Sequence, residues 1–128
     1  MPKVKQLTVS CENSPGTLAD IAGILGKANV NILAFNASSA GAMGYIQFVV
    51  DNASKAKKAL KRKRISCYEE MVLHVTLSNV PGALARFARK LAVKDINIGA
   101  GYQTTVLGSN KASVVLSVSH LESASRVR

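Results

Sequence analysis

Asn13-Ser14-Pro15-Gly16-Thr17-Leu18 and, sixty-six positions later, Asn79-Val80-Pro81-Gly82-Ala83-Leu84 are two versions of one six-residue phrase. Asn bonds its own backbone and tolerates unusual dihedrals, Pro fixes φ, and Gly allows close approach, so each phrase is turn chemistry opening a helix. Working outward at the same offset, Leu7 and Val9 meet Leu73 and Val75. Ala19, Ala22, Leu25, Asn31, Ile32 and Ala34 meet Ala85, Ala88, Leu91, Asn97, Ile98 and Ala100. Such self-similarity without a gap marks a duplicated unit.

Each unit has the same local grammar. Leu7-Thr8-Val9-Ser10-Cys11 alternates with period two, which predicts a half-buried strand. Leu18, Ile21, Ala22 and Leu25 recur as a helical stripe, closed by residues 26–29. Residues 30–37 and 45–50 are expected as strands around a small-residue hairpin turn at 38–44. Residues 51–64 are expected as a second helix, capped by Asp51 or Asn52 and crowded with cations at its C-terminus. Residues 65–70 complete the unit as a fourth strand. The order is βαββαβ, an α+β ferredoxin-like sandwich of one antiparallel sheet under two helices. A first domain is expected at 1–70 and a second at 71–128. The second repeats strand 73–77, helix 83–93, and strands 96–106 and 112–119. Its hairpin is two residues longer, so Arg128 aligns with Leu60 and the second copy lacks its last strand.

The paired phrases resemble the ACT domain family, whose first strand-to-helix turn carries an acidic or amide residue, any residue, Pro, Gly, any residue, Leu. Val30-Asn31-Ile32 and Ile96-Asn97-Ile98 are similar to the hydrophobic-Asn-Ile opening of that family's second strand. The resemblance spans residues 4 to 120. It implies tandem ACT domains forming a regulatory, allosteric pair that binds a free amino acid and catalyses nothing. It also implies that ligands sit where the first turn of one domain faces the second strand of its partner, at a domain interface. The implied ligand-binding residues are Asn13, Ser14, Pro15, Gly16, Thr17, Leu18, Asn31 and Ile32, with Asn79, Val80, Pro81, Gly82, Ala83, Leu84, Asn97 and Ile98 in the second copy. The physics agrees: a helix N-terminus suits a carboxylate, the glycines admit it to the backbone, and the asparagines offer donors and acceptors. Ser14 and Thr17 are polar where Val80 and Ala83 are apolar, so the first turn is the better equipped. The family's domains usually regulate an enzyme in the same chain. With none attached here, the chain is expected to regulate a partner enzyme in trans, to sense alone, or to be a fragment of something longer.

The composition narrows the alternatives. Net charge is +10, with seven cations in the run Lys55 to Arg64, so a local patch rather than a uniformly basic chain needs explaining. That run supports the alternative function, a nucleic-acid-binding ferredoxin-like protein using the basic helix 55–64. RNA-recognition domains of this topology stack bases on sheet aromatics. Here Tyr45 and Phe48 are three apart and fall on opposite faces, and Met43-Gly44-Tyr45 is a poor match to their signature. The other reading of the run is a solvated helix face above the stripe Ala53, Ala56, Ala59 and Leu60.

No catalytic constellation is visible, so an enzyme is not expected. Glu69 and Glu70 are adjacent on a strand and face opposite sides. Gly99-Ala100-Gly101 lacks the third glycine and the helix of a dinucleotide loop, no serine sits in a nucleophile elbow, and no cofactor is expected. His74 and His120 lie far apart and near no cysteine, which argues against a metal site, and Cys11 and Cys67 read as small reduced hydrophobes. With no apolar leader and no bilayer-length segment, the expected place is cytoplasmic, without a membrane partner. The missing fourth strand of the second copy would leave residues 73–77 as an apolar open edge. That edge predicts a homodimer or larger assembly to cover it.

Overall fold

A computed structural model describes residues 2–127. Its elements are β1 (Lys3–Glu12), α1 (Thr17–Lys27), β2 (Ile32–Ala40), β3 (Met43–Val50), α2 (Ala53–Arg62), β4 (Cys67–Ser78), α3 (Ala83–Val93), β5 (Ile98–Thr105), β6 (Lys111–Val118) and α4 (Leu121–Ser125). The chain forms two compact units. One is Lys5–Glu70; the other is 71–127 with residues 2–4.

The first unit is an α+β ferredoxin-like fold with the pattern βαββαβ and strand order β2-β3-β1-β4. β1 pairs antiparallel with β3, with Leu7 opposite Phe48 and Val9 opposite Ile46. Those four side chains, with Ile21 and Leu25 of α1 and Ala56 and Leu60 of α2, form its core. Tyr45 is 39% exposed while Phe48 is fully buried, so the two aromatics do lie on opposite faces. Asn52 caps α2: its side chain accepts the Lys55 N–H at 3.0 Å.

The second unit has the strand order β1-β4-β6-β5, to which β1 brings only its N-terminal end. Its core joins Leu73, Val75, Phe87, Leu91, Val114 and Leu116, closed by Ala124 and Val127. The open edge expected at 73–77 is corrected here, because the His74 N–H donates to the Pro2 carbonyl at 3.0 Å. A neighbouring strand therefore lies along part of that edge. The two short strands expected at 65–70 and 73–77 form one strand of 12 residues, β4, which continues from one unit into the other.

The helices α1, α2 and α3 end alike. Asn29, Arg64 and Asp95 follow them at φ of 59°, 59° and 60°. The next N–H, of Val30, Ile65 or Ile96, reaches back to the carbonyl of Leu25, Leu60 or Leu91 at 2.9–3.0 Å. This left-handed closure satisfies orphan carbonyls and sets an apolar residue against the helix's last buried leucine.

Candidate functional site

The two turns foreseen from the sequence are built alike. Gly16 and Gly82 sit at the helix N-caps with φ of 90° and 86°, in the left-handed region that glycine supplies without strain. Neither turn gives its helix a side-chain cap; the Thr17 and Ala83 N–H groups donate to the Ser14 and Val80 carbonyls, and the next N–H groups stand at the positive end of the dipole. Asn13 and Asn79 have structural work: their side-chain amides donate to the carbonyls of Gly41 (3.1 Å) and Ser109 (2.9 Å), tying each turn to the following hairpin. The Ser14 and Thr17 hydroxyls lie 3.0 Å apart, and Thr17 also donates to the Ser14 carbonyl. Pro15 and Pro81 are exposed, and Ala83 is half-buried.

The turns differ in what stands over them. A Cβ placed on Gly16 would meet nothing within 4 Å, whereas one on Gly82 would stand 2.9 Å from Nη1 of Arg86. The first turn is open and the second carries a guanidinium. Leu18, Val80 and Leu84 are 38%, 53% and 45% exposed, so the stripe predicted to bury Leu18 starts at Ile21 instead.

Asn31, Ile32, Asn97 and Ile98 do not join the turns within their own units. The Asn31 N–H donates to Asp51, and the Asn97 N–H to the Ser119 hydroxyl, at 3.0 and 2.9 Å. Each Asn lies just beyond the C-terminal end of its helix, about 16 Å along an eleven-residue helix from the turn. Ile32 and Ile98 are half-buried beside the cores.

What the first unit places at the foot of α1 is a cleft of about 600 Å³ between β1, α1 and the start of β4. Of the residues foreseen, Thr17 lines it. The rest of its wall includes Thr8, Ser10, Asp20, Ile21, Arg64, Ile65, Ser66 and Tyr68, with both cysteines. Thr8 is 5% exposed, and its hydroxyl has no hydrogen-bond partner among the described residues. Asp20 and Arg64 bring one negative and one positive group to the same open space. Burial pushes the Cys67 thiol up, against a smaller opposing pull from Lys57, so it stands as a protonated, weakly polar wall. The signal for these residues was topological: with β4 beside β1, residues 64–68 come to face 8–11. No cluster of three or more metal-binding side chains occurs among the described residues. No described helix is long and apolar enough to cross a membrane.

Comparison with known proteins agrees with this architecture. The chain matches the model of the ACT domain family over residues 5–65, so its first unit is an ACT domain. It belongs to one family with the Bacteroides thetaiotaomicron protein BT0572, at 30% identity over 95% of this chain and 83% of that one, with a TM-score of 0.89. The ligand-free regulatory subunit of aspartate kinase from Thermus thermophilus shares the fold at 19% identity, covering 98% of this chain and 90% of that one, with a TM-score of 0.71. The corresponding subunit from Thermus flavus does so at 17%, over 97% and 88%, with a TM-score of 0.64. No curated protein matches the chain. ACT domains are typically regulatory and bind small-molecule amino acids.

Proposed function

We propose that the chain is a tandem pair of ACT domains, 1–70 and 71–128, that binds a free amino acid and regulates a partner enzyme in trans without catalysing a reaction. The observation that carries this is the presence of both Asp20 and Arg64 in the lining of the cleft at the foot of α1. A zwitterion needs an anion for its ammonium and a cation for its carboxylate, and this cleft offers one of each. The uncapped α1 N-terminus, whose first turn carries Asp20, adds N–H donors beside the cleft. The unpartnered Thr8 hydroxyl and those of Ser10 and Ser66 give orientation, and Ile21 and Ile65 give apolar wall for a side chain. The open first turn, against the Arg86-covered second, favours the first unit as the binding unit.

A thermal-shift series with the twenty amino acids tests the reading, because a ligand of the native state raises the melting temperature. At least one should do so at millimolar concentration, and Asp20→Asn should abolish its effect while leaving the unliganded melt in place. A series without any shift sinks the proposal. For the trans role, the supporting likeness is to regulatory subunits of aspartate kinase. A homodimer is part of the proposal too. Leu33 and Phe35 of β2 are 54% and 51% exposed on a strand with β3 as its one neighbour in the strand order. Sedimentation showing an ideal monomer at tens of micromolar would remove that part.

A further inference from the structure

The cations of α2 are not consumed by the fold. Lys55, Lys57, Lys58, Lys61, Arg62, Lys63 and Arg64 are all exposed, and among the described residues only Lys57 of the seven is in an ion pair, with Glu69 at 3.3 Å. The helix has no acidic residue in its first turn to balance them. Lys57 and Lys61 stand at i and i+4 on one side of the helix, where like charges repel and weaken it, and Arg64 follows just past the helix end. That side looks onto the start of β4 across two clefts of about 500 and 340 Å³. Lys57 and Lys61 line both, so the two adjoin. Lys5 and Lys58 widen the positive wall at one end, where Glu69 also lines the cleft and pairs with Lys57 and, at 3.9 Å, with Lys5; Arg64 stands at the other end, and the Ser54 and Ser66 hydroxyls add neutral donors. Just past Arg64, Tyr68 is 61% exposed, and both residues also line the cleft at the foot of α1.

We propose that the groove between α2 and β4 binds a single-stranded polynucleotide, its phosphates tracking Lys58, Lys57, Lys61 and Arg64 and one base stacking on Tyr68. Cations along a groove ending at an exposed ring are the combination that holds single strands without sequence readout. An acidic peptide would leave the ring unused. A membrane surface would call for large apolar side chains along the outer face of α2, and the exposed positions there are lysine, arginine, serine and asparagine. The sheet aromatics Tyr45 and Phe48, on opposite faces, offer no platform, so the site differs from the sheet-face mode of RNA-recognition domains.

The test is fluorescence anisotropy of a labelled, mixed-sequence single-stranded RNA with the full chain across a salt series. Four phosphate contacts predict a slope of log affinity against log salt of about −3. K58A/K61A should make that slope shallower by about 1.4, and Tyr68→Ala should weaken binding about tenfold at unchanged slope, with Tyr68→Phe restoring it. All three substituted side chains are exposed, and a cooperative melt of each variant verifies folding. Absence of binding at low salt overturns the proposal, as does indifference to K58A/K61A or to Tyr68→Ala. Equal affinity for a duplex, for polyglutamate or for anionic lipid vesicles overturns it as well, because each removes the single strand as the preferred occupant.

Discussion

Arg64 occupies a backbone conformation that suits asparagine or glycine better. Its counterparts at the ends of α1 and α3 are Asn29 and Asp95, short polar residues that visit the left-handed region readily. An arginine there carries a cost on the order of 1 kcal/mol, partly offset by the attraction of its charge to the C-terminal end of the α2 dipole. Arg64→Asn is therefore expected to leave the melting temperature unchanged or slightly raised while amino-acid binding is lost. A large drop in melting temperature would make Arg64 structural instead. Glycines give a second contrast. Gly16→Ala meets open space and costs only its left-handed φ, about 1–2 kcal/mol. Gly101→Ala would place its Cβ 2.7 Å from Cδ2 of Leu116, a core side chain that must shift, at about 1–3 kcal/mol. Urea midpoints of the two variants separate these costs. A third expectation concerns acid. Glu122 is held below its ordinary value of 4.5 by the hydrogen bond and charge of Lys3. A lowered folded value stabilises above pH 4.5 and is lost as pH falls through that folded value. Melting curves of Glu122→Gln and the parent should accordingly differ at neutral pH and converge in acid.

Between residues and the whole stand the helix ends and turns, and here the sequence was legible to different depths. Alternation in Leu7 to Cys11 and the duplicated Pro-Gly phrase announce the strand, the turn and the βαββ order, because period and turn chemistry are local. The helix stops were legible too, had the spacing been read: Leu25 to Val30, Leu60 to Ile65 and Leu91 to Ile96 are all five apart with a left-handed residue before the last. The cleft was not legible, since its walls come from three separated segments, 8–11, 17–21 and 64–68, that only the pairing order assembles. The partners of the asparagines were not legible for a related reason. Their amides were free on paper but are spent on hairpin carbonyls thirty or so positions away. Asn13→Ala and Asn79→Ala should each cost about 1 kcal/mol of stability, as one hydrogen bond does. Asn52→Ala, which uncaps α2, should cost a similar amount, about 0.5–2 kcal/mol. Chemical denaturation measures all three. An Asn13→Ala that weakens amino-acid binding with no loss of stability would restore the asparagine to the site.

For the molecule as a whole, β1 and β4 matter most, because each has residues in both units. The second unit draws Pro2 into hydrogen bonding with His74 and Lys3 into an ion pair with Glu122. A fragment of residues 71–128 would lose both. It is expected to be less stable than its counterpart in the intact chain and to self-associate through the bared strand Leu73–Leu77. Light scattering of that fragment against one extended by a tethered copy of residues 1–5 is the comparison to make. A fragment as soluble and cooperative alone as in the intact chain would show that the added strand contributes nothing.

The bond from His74 back to Pro2 has a meaning in time as well as in space. On a ribosome the segment carrying Pro2 emerges dozens of residues before its partner, and the intervening stretch can finish folding while that segment waits. When His74 arrives, the loop to be closed is already collapsed, and the entropy of bringing its ends together is far below that of a free chain of the same length. Refolding from denaturant offers no such head start. Synthesis and refolding would then reach the same native structure at different rates, and only the second unit would register the difference.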